Sequence, residues 1–276
     1  VSVELIDKAG NGNNAANPVV LVVDKVNPTR EVIYTPYKIL DAATMLEVND
    51  YQEGDNSILY YKNSAVVTFK ITEANLDLSL KDEATKPVIK VNNVPVSVDW
   101  SNDGDVWTAT YTINGNGDYV VTMTYTDLST NEMVSYESCK IAIDSDVPVI
   151  DVKYTDGTPN QTIDGRKYYK TTQTVNVTIN EHNFRADDVV LTVTAKDVQG
   201  NPVDISSKKY ADYAKNRDNW THNGDVHTLK TDGMVFDIDA IYTFDIVYDD
   251  IIDNFAADYA QDDFVVDHAM PTNLKI

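Results

Sequence analysis

The sequence predicts an all-β chain assembled from copies of one module about 120 residues long, and three observations carry that expectation. A signature of Asp, three residues and Pro stands at Asp24 to Pro28 (DKVNP), Asp144 to Pro148 (DSDVP) and Asp267 to Pro271 (DHAMP), at spacings of 120 and 123 residues. That period is the length of a small domain. Apolar residues alternate with polar ones at period two, which puts every second side chain on one face of a strand. No long amphipathic helical stretch is present, whereas Val, Thr and Tyr, which suit a pleated surface, are abundant.

The copies align along most of their length. LYYK from Leu59 returns as KYYK from Lys167, and ITEANL from Ile71 returns 108 residues later as INEHNF from Ile179. WSNDGDVWT from Trp100 returns 120 residues later as WTHNGDVHT from Trp220. YVVTMTYTDLSTN from Tyr119 returns 123 residues later as YTFDIVYDDIIDN from Tyr242, and its second half is visible in VSVELIDKAGN from Val1. The change of offset marks an insertion in the later copy, near 206–219. Residues 1–28 therefore read as the last strands of a preceding module, 29–147 and 148–271 as two full modules, and 272–276 as a linker or the start of another.

Strand faces follow from the alternation. Val67, Phe69 and Ile71 match Val175, Val177 and Ile179, while Tyr119, Val121, Met123 and Tyr125 match Tyr242, Phe244, Ile246 and Tyr248. Turn chemistry separates the runs at Asn92-Asn93, Asp103-Gly104, Asn116-Gly117 and Asn223-Gly224. Seven or eight short strands in about 120 residues fit tandem immunoglobulin-like β-sandwich modules. Gly117 and Ala240 stand two positions before Tyr119 and Tyr242, as in a tyrosine corner, and a plain core tyrosine is the other reading of the same residues. Short linkers predict small contacts between neighbours, with stability divided among the modules.

Composition narrows the setting. With 22 basic against 44 acidic residues the net charge is -22. No basic stripe rises above that background, so neither nucleic acid nor direct membrane insertion is expected. Cys139 is the single cysteine, which leaves apolar cores, not internal disulfides, to hold each module. No nucleophile elbow, phosphate loop or zinc-ligand spacing is present. Glu73 and Glu181 recur at equivalent strand ends, as turn-capping carboxylates would and a catalytic acid would not. No catalytic residue is assigned, and the chain is expected not to be an enzyme.

The YYK element, ITEANL and INEHNF, WxxxGD, YxxxxxYxDxxxN and VDxxxP together resemble the bacterial immunoglobulin-like repeats of very large surface proteins from Gram-positive gut bacteria. The resemblance spans nearly the whole chain. It implies an extracellular location on a parent anchored to the cell wall, and an adhesin-like role toward a host protein. Some proteins of this type bind host antibodies as superantigens, so immunoglobulin is the named candidate partner and a glycan the alternative. The competing function is a passive spacer that presents another domain.

Two chemistries attach to the repeats, and an insertion distinguishes one copy. Calcium at module junctions would draw on Asp24, Asp144, Asp146 and Asp267 beside the linkers, on Glu181, and on turn residues Asp7, Asp127 and Asp250. The alternative for these positions is strand termination, with Pro ending the ladder. A Lys to Asn crosslink would take Lys62 or Lys170, Glu73 or Glu181, and Asn131 or Asn254, although a DxxxN turn explains the Asn equally. The insertion is locally basic, with Ser206 or Ser207 placed to cap a short helix and Tyr210 and Tyr213 on one face of it. Tyr210, Tyr213, Arg217, Lys208 and Lys209 are the candidate partner-binding residues. The other reading is that the tyrosines pin the insertion to the sandwich.

Overall fold

The protein is described as a computed structural model, which covers residues 5–6, 8–9, 12–13, 23–79, 86–155, 158–257, 259 and 262–270. Asp7 lies outside them. The described residues form strands packed face to face as sandwiches, with the immunoglobulin-like all-β architecture that the alternation implies.

In the first full module one sheet runs in the order Thr29–Tyr34, Ser64–Thr72, Val106–Asn114, Ser101–Asp103, all antiparallel. The facing layer orders Lys38–Asp41, Ser57–Tyr61, Lys140–Ile143 and Gly117–Tyr119, in which the middle pair is parallel. Past Val120 the chain continues as Val121–Thr124, flanked by Val88–Val91 and Tyr136–Glu137. The second module repeats the plan. Val149–Tyr154, Gln173–Asn180, Val226–Leu229 and Trp220–Asn223 form one sheet. Gln161–Ile163, Arg166–Tyr169, Asp262–Val266, Ala240–Tyr248 and Val189–Lys196 form the other, with Arg166–Tyr169 and Asp262–Val266 parallel.

Burial follows the sequence pattern. Val67, Phe69 and Ile71 point into the first core while Val66, Thr68 and Lys70 face outward. Val175, Val177 and Ile179 do the same in the second. Both corner tyrosines reach back to upstream backbone. The Tyr119 hydroxyl donates to the Gly115 carbonyl at 3.0 Å, and that of Tyr242 to the Ile238 carbonyl at 2.9 Å. The tyrosine-corner reading is thus the one the geometry supports.

The modules touch more than short linkers suggest. Ile251 and Ile252, in the turn that ends Ala240–Tyr248, are buried in one cluster with Leu40, Ile58, Tyr60 and Ala142 of the preceding module. Asp253 on the same turn accepts from the Tyr37 hydroxyl at 2.6 Å and pairs with the Lys38 Nζ at 2.9 Å, and that ammonium also donates to the Ile251 carbonyl. The expectation of small contacts is corrected here. A turn is an economical plug, because it projects beyond its own sheet and meets the outer face of a neighbour.

The insertion folds as a 3-10 turn at Ser206–Lys208 and the α-helix Tyr210–Lys215. Neither serine caps the helix. Its N-cap is Lys209 in the left-handed conformation, without a side-chain cap, and the Ser206 N–H instead donates to Asp204.

Candidate metal centre

Three sequence motifs converge at the entry end of each module. In the second copy they bring together Asp144 from the linker, Glu181 from the end of Gln173–Asn180, and Asp250 from the turn after Ala240–Tyr248. One carboxylate oxygen from each lies within 4.8 Å of the others, and the residues are only 1%, 3% and 4% exposed. Asp24, Glu73 and Asp127 gather in the same way in the first copy, with Asp24 less deeply buried.

The supporting hydrogen bonds repeat pair by pair. The Asn183 backbone N–H donates to Glu181 Oε1 at 2.8 Å and its side-chain amide to Asp144 Oδ2 at 2.8 Å. Asn75 makes the same two bonds, to Glu73 at 2.7 Å and Asp24 at 2.8 Å. Asp250 closes its turn by accepting from the backbone N–H groups of Ile252 and Asn254 and from the Asn254 amide, and Asp127 does so with Ser129 and Asn131. An aromatic N–H fixes the glutamate backbone in each copy. Trp107 Nε1 donates to the Glu73 carbonyl at 3.2 Å, and His227 Nε2 stands 2.8 Å from the Glu181 carbonyl. A carbonyl only accepts, so this contact assigns the proton to His227 Nε2.

Electrostatics separate the copies. Burial first, and then the Asp144 and Asp250 charges, hold the Glu181 carboxyl far above the usual carboxylate range. Burial also raises Asp250, against the bonds it accepts from Asn254. Asp24, open to water, is instead lowered by the Val26 N–H and then the Asn75 amide. Three carboxylates buried this closely need a neutralising proton or cation. Their oxygen-only set is the kind that hard divalent cations take.

Of the junction residues expected from the sequence, Asp144 and Glu181 meet, joined by Asp250. Asp146 is exposed and only donates its N–H to Asp144 Oδ1. Asp267 is exposed and accepts from the Ala269 N–H, the local turn that Asp24 makes with Val26. No second carboxylate group gathers around it among the described residues. The crosslink scheme finds no support in the geometry: the Asn131 and Asn254 amides are spent on Asp127 and Asp250, and Lys62 Nζ lies over the Tyr37 ring.

The insertion residues divide into inner and outer. Tyr210 is buried, stacks on Phe236 and donates its hydroxyl to the Val235 carbonyl at 2.7 Å. Tyr213 packs against the same core and lies so close over Gly233 that no larger side chain fits there without moving its ring. Tyr210 is thereby committed to the core and helps pin the insertion, while Tyr213 is half-buried, with part of its ring still exposed. Lys208 pairs with Asp237 at 2.5 Å, while Lys209 and Arg217 are exposed.

No protein-family model matches the chain, and no curated protein matches it. Among solved structures the chain is similar to dimeric latent PorU from Porphyromonas gingivalis, at 14% identity and a TM-score of 0.29, over 87% of this chain and 20% of that one. It is also similar to the fibronectin(III)-like modules of Clostridium thermocellum CbhA, at 11% identity and a TM-score of 0.25, over 79% of this chain and 94% of that one. A third similarity is to the SGBP-B protein of the Bacteroides ovatus mixed-linkage glucan utilization locus in complex with a mixed-linkage heptasaccharide. It stands at 13% identity and a TM-score of 0.17, over 88% of this chain and 61% of that one. The fold rests on the strand pairing described above.

Proposed function

We propose that this chain is a non-enzymatic segment of an extracellular bacterial surface array, in which immunoglobulin-like modules are locked end to end and hold a binding function away from the cell. The observation that carries this reading is the seam in which Ile251 and Ile252 of one module seat among Leu40, Ile58, Tyr60 and Ala142 of its neighbour. A spacer of independent beads would have no use for such a seam, whereas a projecting rod needs each joint restrained. The net charge of -22 suits it too, since like-charged rods stay soluble and apart. Small-angle scattering of the purified chain tests the reading. One rigid two-module shape is expected, and a profile that requires a broad ensemble of module orientations would overturn it.

A second reading, adhesion by the modules themselves, draws on the exposed Lys209, Lys215 and Arg217 of the insertion on an otherwise acidic molecule. Such a patch suits an acidic surface on a host protein, immunoglobulin being the candidate that the family resemblance names, with a glycan as the alternative. Capture from serum and secretory fluid should then recover one host protein with the parent chain and lose it with Lys209→Glu and Arg217→Glu. Equal recovery by both would remove the insertion from the interface.

A further inference from the structure

We propose that each described junction binds one calcium ion, held by Asp144, Glu181 and Asp250 in one copy and by Asp24, Glu73 and Asp127 in the other. This deepens the locked-array reading, because two of the three ligands belong to the module being entered and the third to the linker out of its neighbour.

Convergence of acids would not carry this alone. The independent observation is Tyr125, whose hydroxyl is buried and has no hydrogen-bond partner. The charges acting on that hydroxyl are those of Glu73, Asp127 and Asp24, the three members of the first cluster. A neutral phenol beside carboxylates is expected to donate to one of them. One left unpartnered there marks room for a further polar occupant, such as a cation with its water. Tyr248, at the same register in the second copy, feels Glu181 and Asp250, and its hydroxyl is taken by the Arg185 N–H at 3.1 Å.

The donor set favours calcium. The donor oxygens in each cluster lie within 4.8 Å of one another. Three carboxylates from three separate segments also suit the flexible calcium shell, with water completing it, better than the rigid magnesium octahedron. The amides of Asn183 and Asn75 and the N–H groups of the two turns satisfy oxygens on the far side of the same carboxylates. They orient the carboxylates as outer hydrogen bonds orient metal ligands elsewhere.

The test uses the full chain, stripped with chelator and then titrated with calcium chloride through about 10⁻⁵ to 10⁻² M, a span that includes the affinities of extracellular calcium modules. Calorimetry should count two sites, and the thermal midpoint should rise with calcium concentration. Glu181→Gln should remove one site and Glu73→Gln the other, while Asp146→Asn, outside the clusters, keeps both. Glu181→Gln removes a buried charge, so in chelator it should be at least as stable as the parent, which separates lost binding from lost folding; Asp250→Asn is the second variant at that junction. No heat and no midpoint shift up to 10 mM would overturn the proposal. So would a response that survives in the Glu73→Gln, Glu181→Gln double variant, and an equal response to magnesium would overturn the calcium assignment. Failure here with a rigid scattering profile would leave the seam reading standing, and the reverse outcome would leave the ion without the lock.

Discussion

Ile252→Asp is expected to open the seam between the two modules while leaving both folded. Ile252 is fully buried, yet its neighbours in the cluster are Ile251 and residues of the preceding module, not the second module's own core. The Asp250 to Asn254 turn that presents it is closed by its own hydrogen bonds, which the substitution leaves in place. Burying Ile251 and Ile252 contributes about 3–6 kcal/mol by area, an upper value because two bodies must be held in one orientation. A carboxylate at 252 would enter a low-dielectric seam already bordered by Asp250 and Asp253, at a cost larger than that gain. The modules should therefore part, and the measured penalty should stop at the coupling energy. Calorimetry should resolve two unfolding transitions against the single one expected of the coupled parent, and scattering should report a larger maximum dimension. Unchanged unfolding and hydrodynamics would show that the seam contributes no coupling.

Trp220→Ala should produce the largest loss within a module. The indole is buried against Phe184 at 4.8 Å between centroids and donates Nε1–H to the Ala214 carbonyl at 2.7 Å, tying the short helix to the sandwich. Truncating a buried tryptophan costs about 3–5 kcal/mol. For a module of this size that is a fall of about 10–20 °C in the thermal midpoint of the second module. Release of Ala214 should also raise hydrogen exchange across 206–219 far above that in the strands. Trp220→Phe keeps most of the packing and should lose only about 1 kcal/mol with the hydrogen bond. If alanine and phenylalanine variants behaved alike, packing would not be what holds the insertion.

The sheets were legible because period-two alternation is local: Val67, Phe69 and Ile71 announce their face without reference to any distant residue. The acidic triads were half legible. Repetition singled out Asp144, Glu181 and Asp250 separately, but they come from three elements far apart in sequence, and only the sandwich folds them into reach. Asp146 and Asp267 shared the linker signature without sharing the cluster, since a motif specifies a turn before it specifies company. Tyr210 and Tyr213 illustrate the opposite limit, because a spacing of three shows which side chains share a helix face but not whether that face looks inward. The seam left one readable trace. Two adjacent isoleucines at 251 and 252 are out of place in a solvated DxxxN turn, and the first copy carries Leu128 and Ser129 there.

The parallel pairing within each module bears on what happens when the array is pulled. Tension entering at Thr29 first meets Thr29–Tyr34 and its antiparallel partner Ser64–Thr72, and tension leaving at Asp144 runs lengthwise along Lys140–Ile143 against Ser57–Tyr61, whose register joins Ile58 to Lys140 through Tyr61 to Ile143. Load directed along paired strands acts on their cross-bonds in shear, so the bonds must fail together instead of peeling one after another. Arg166–Tyr169 and Asp262–Val266 place the same clasp in the next module. Under load the chain would thus have, in each of its two described modules, a latch whose release is governed by an unfolding barrier and not by equilibrium stability.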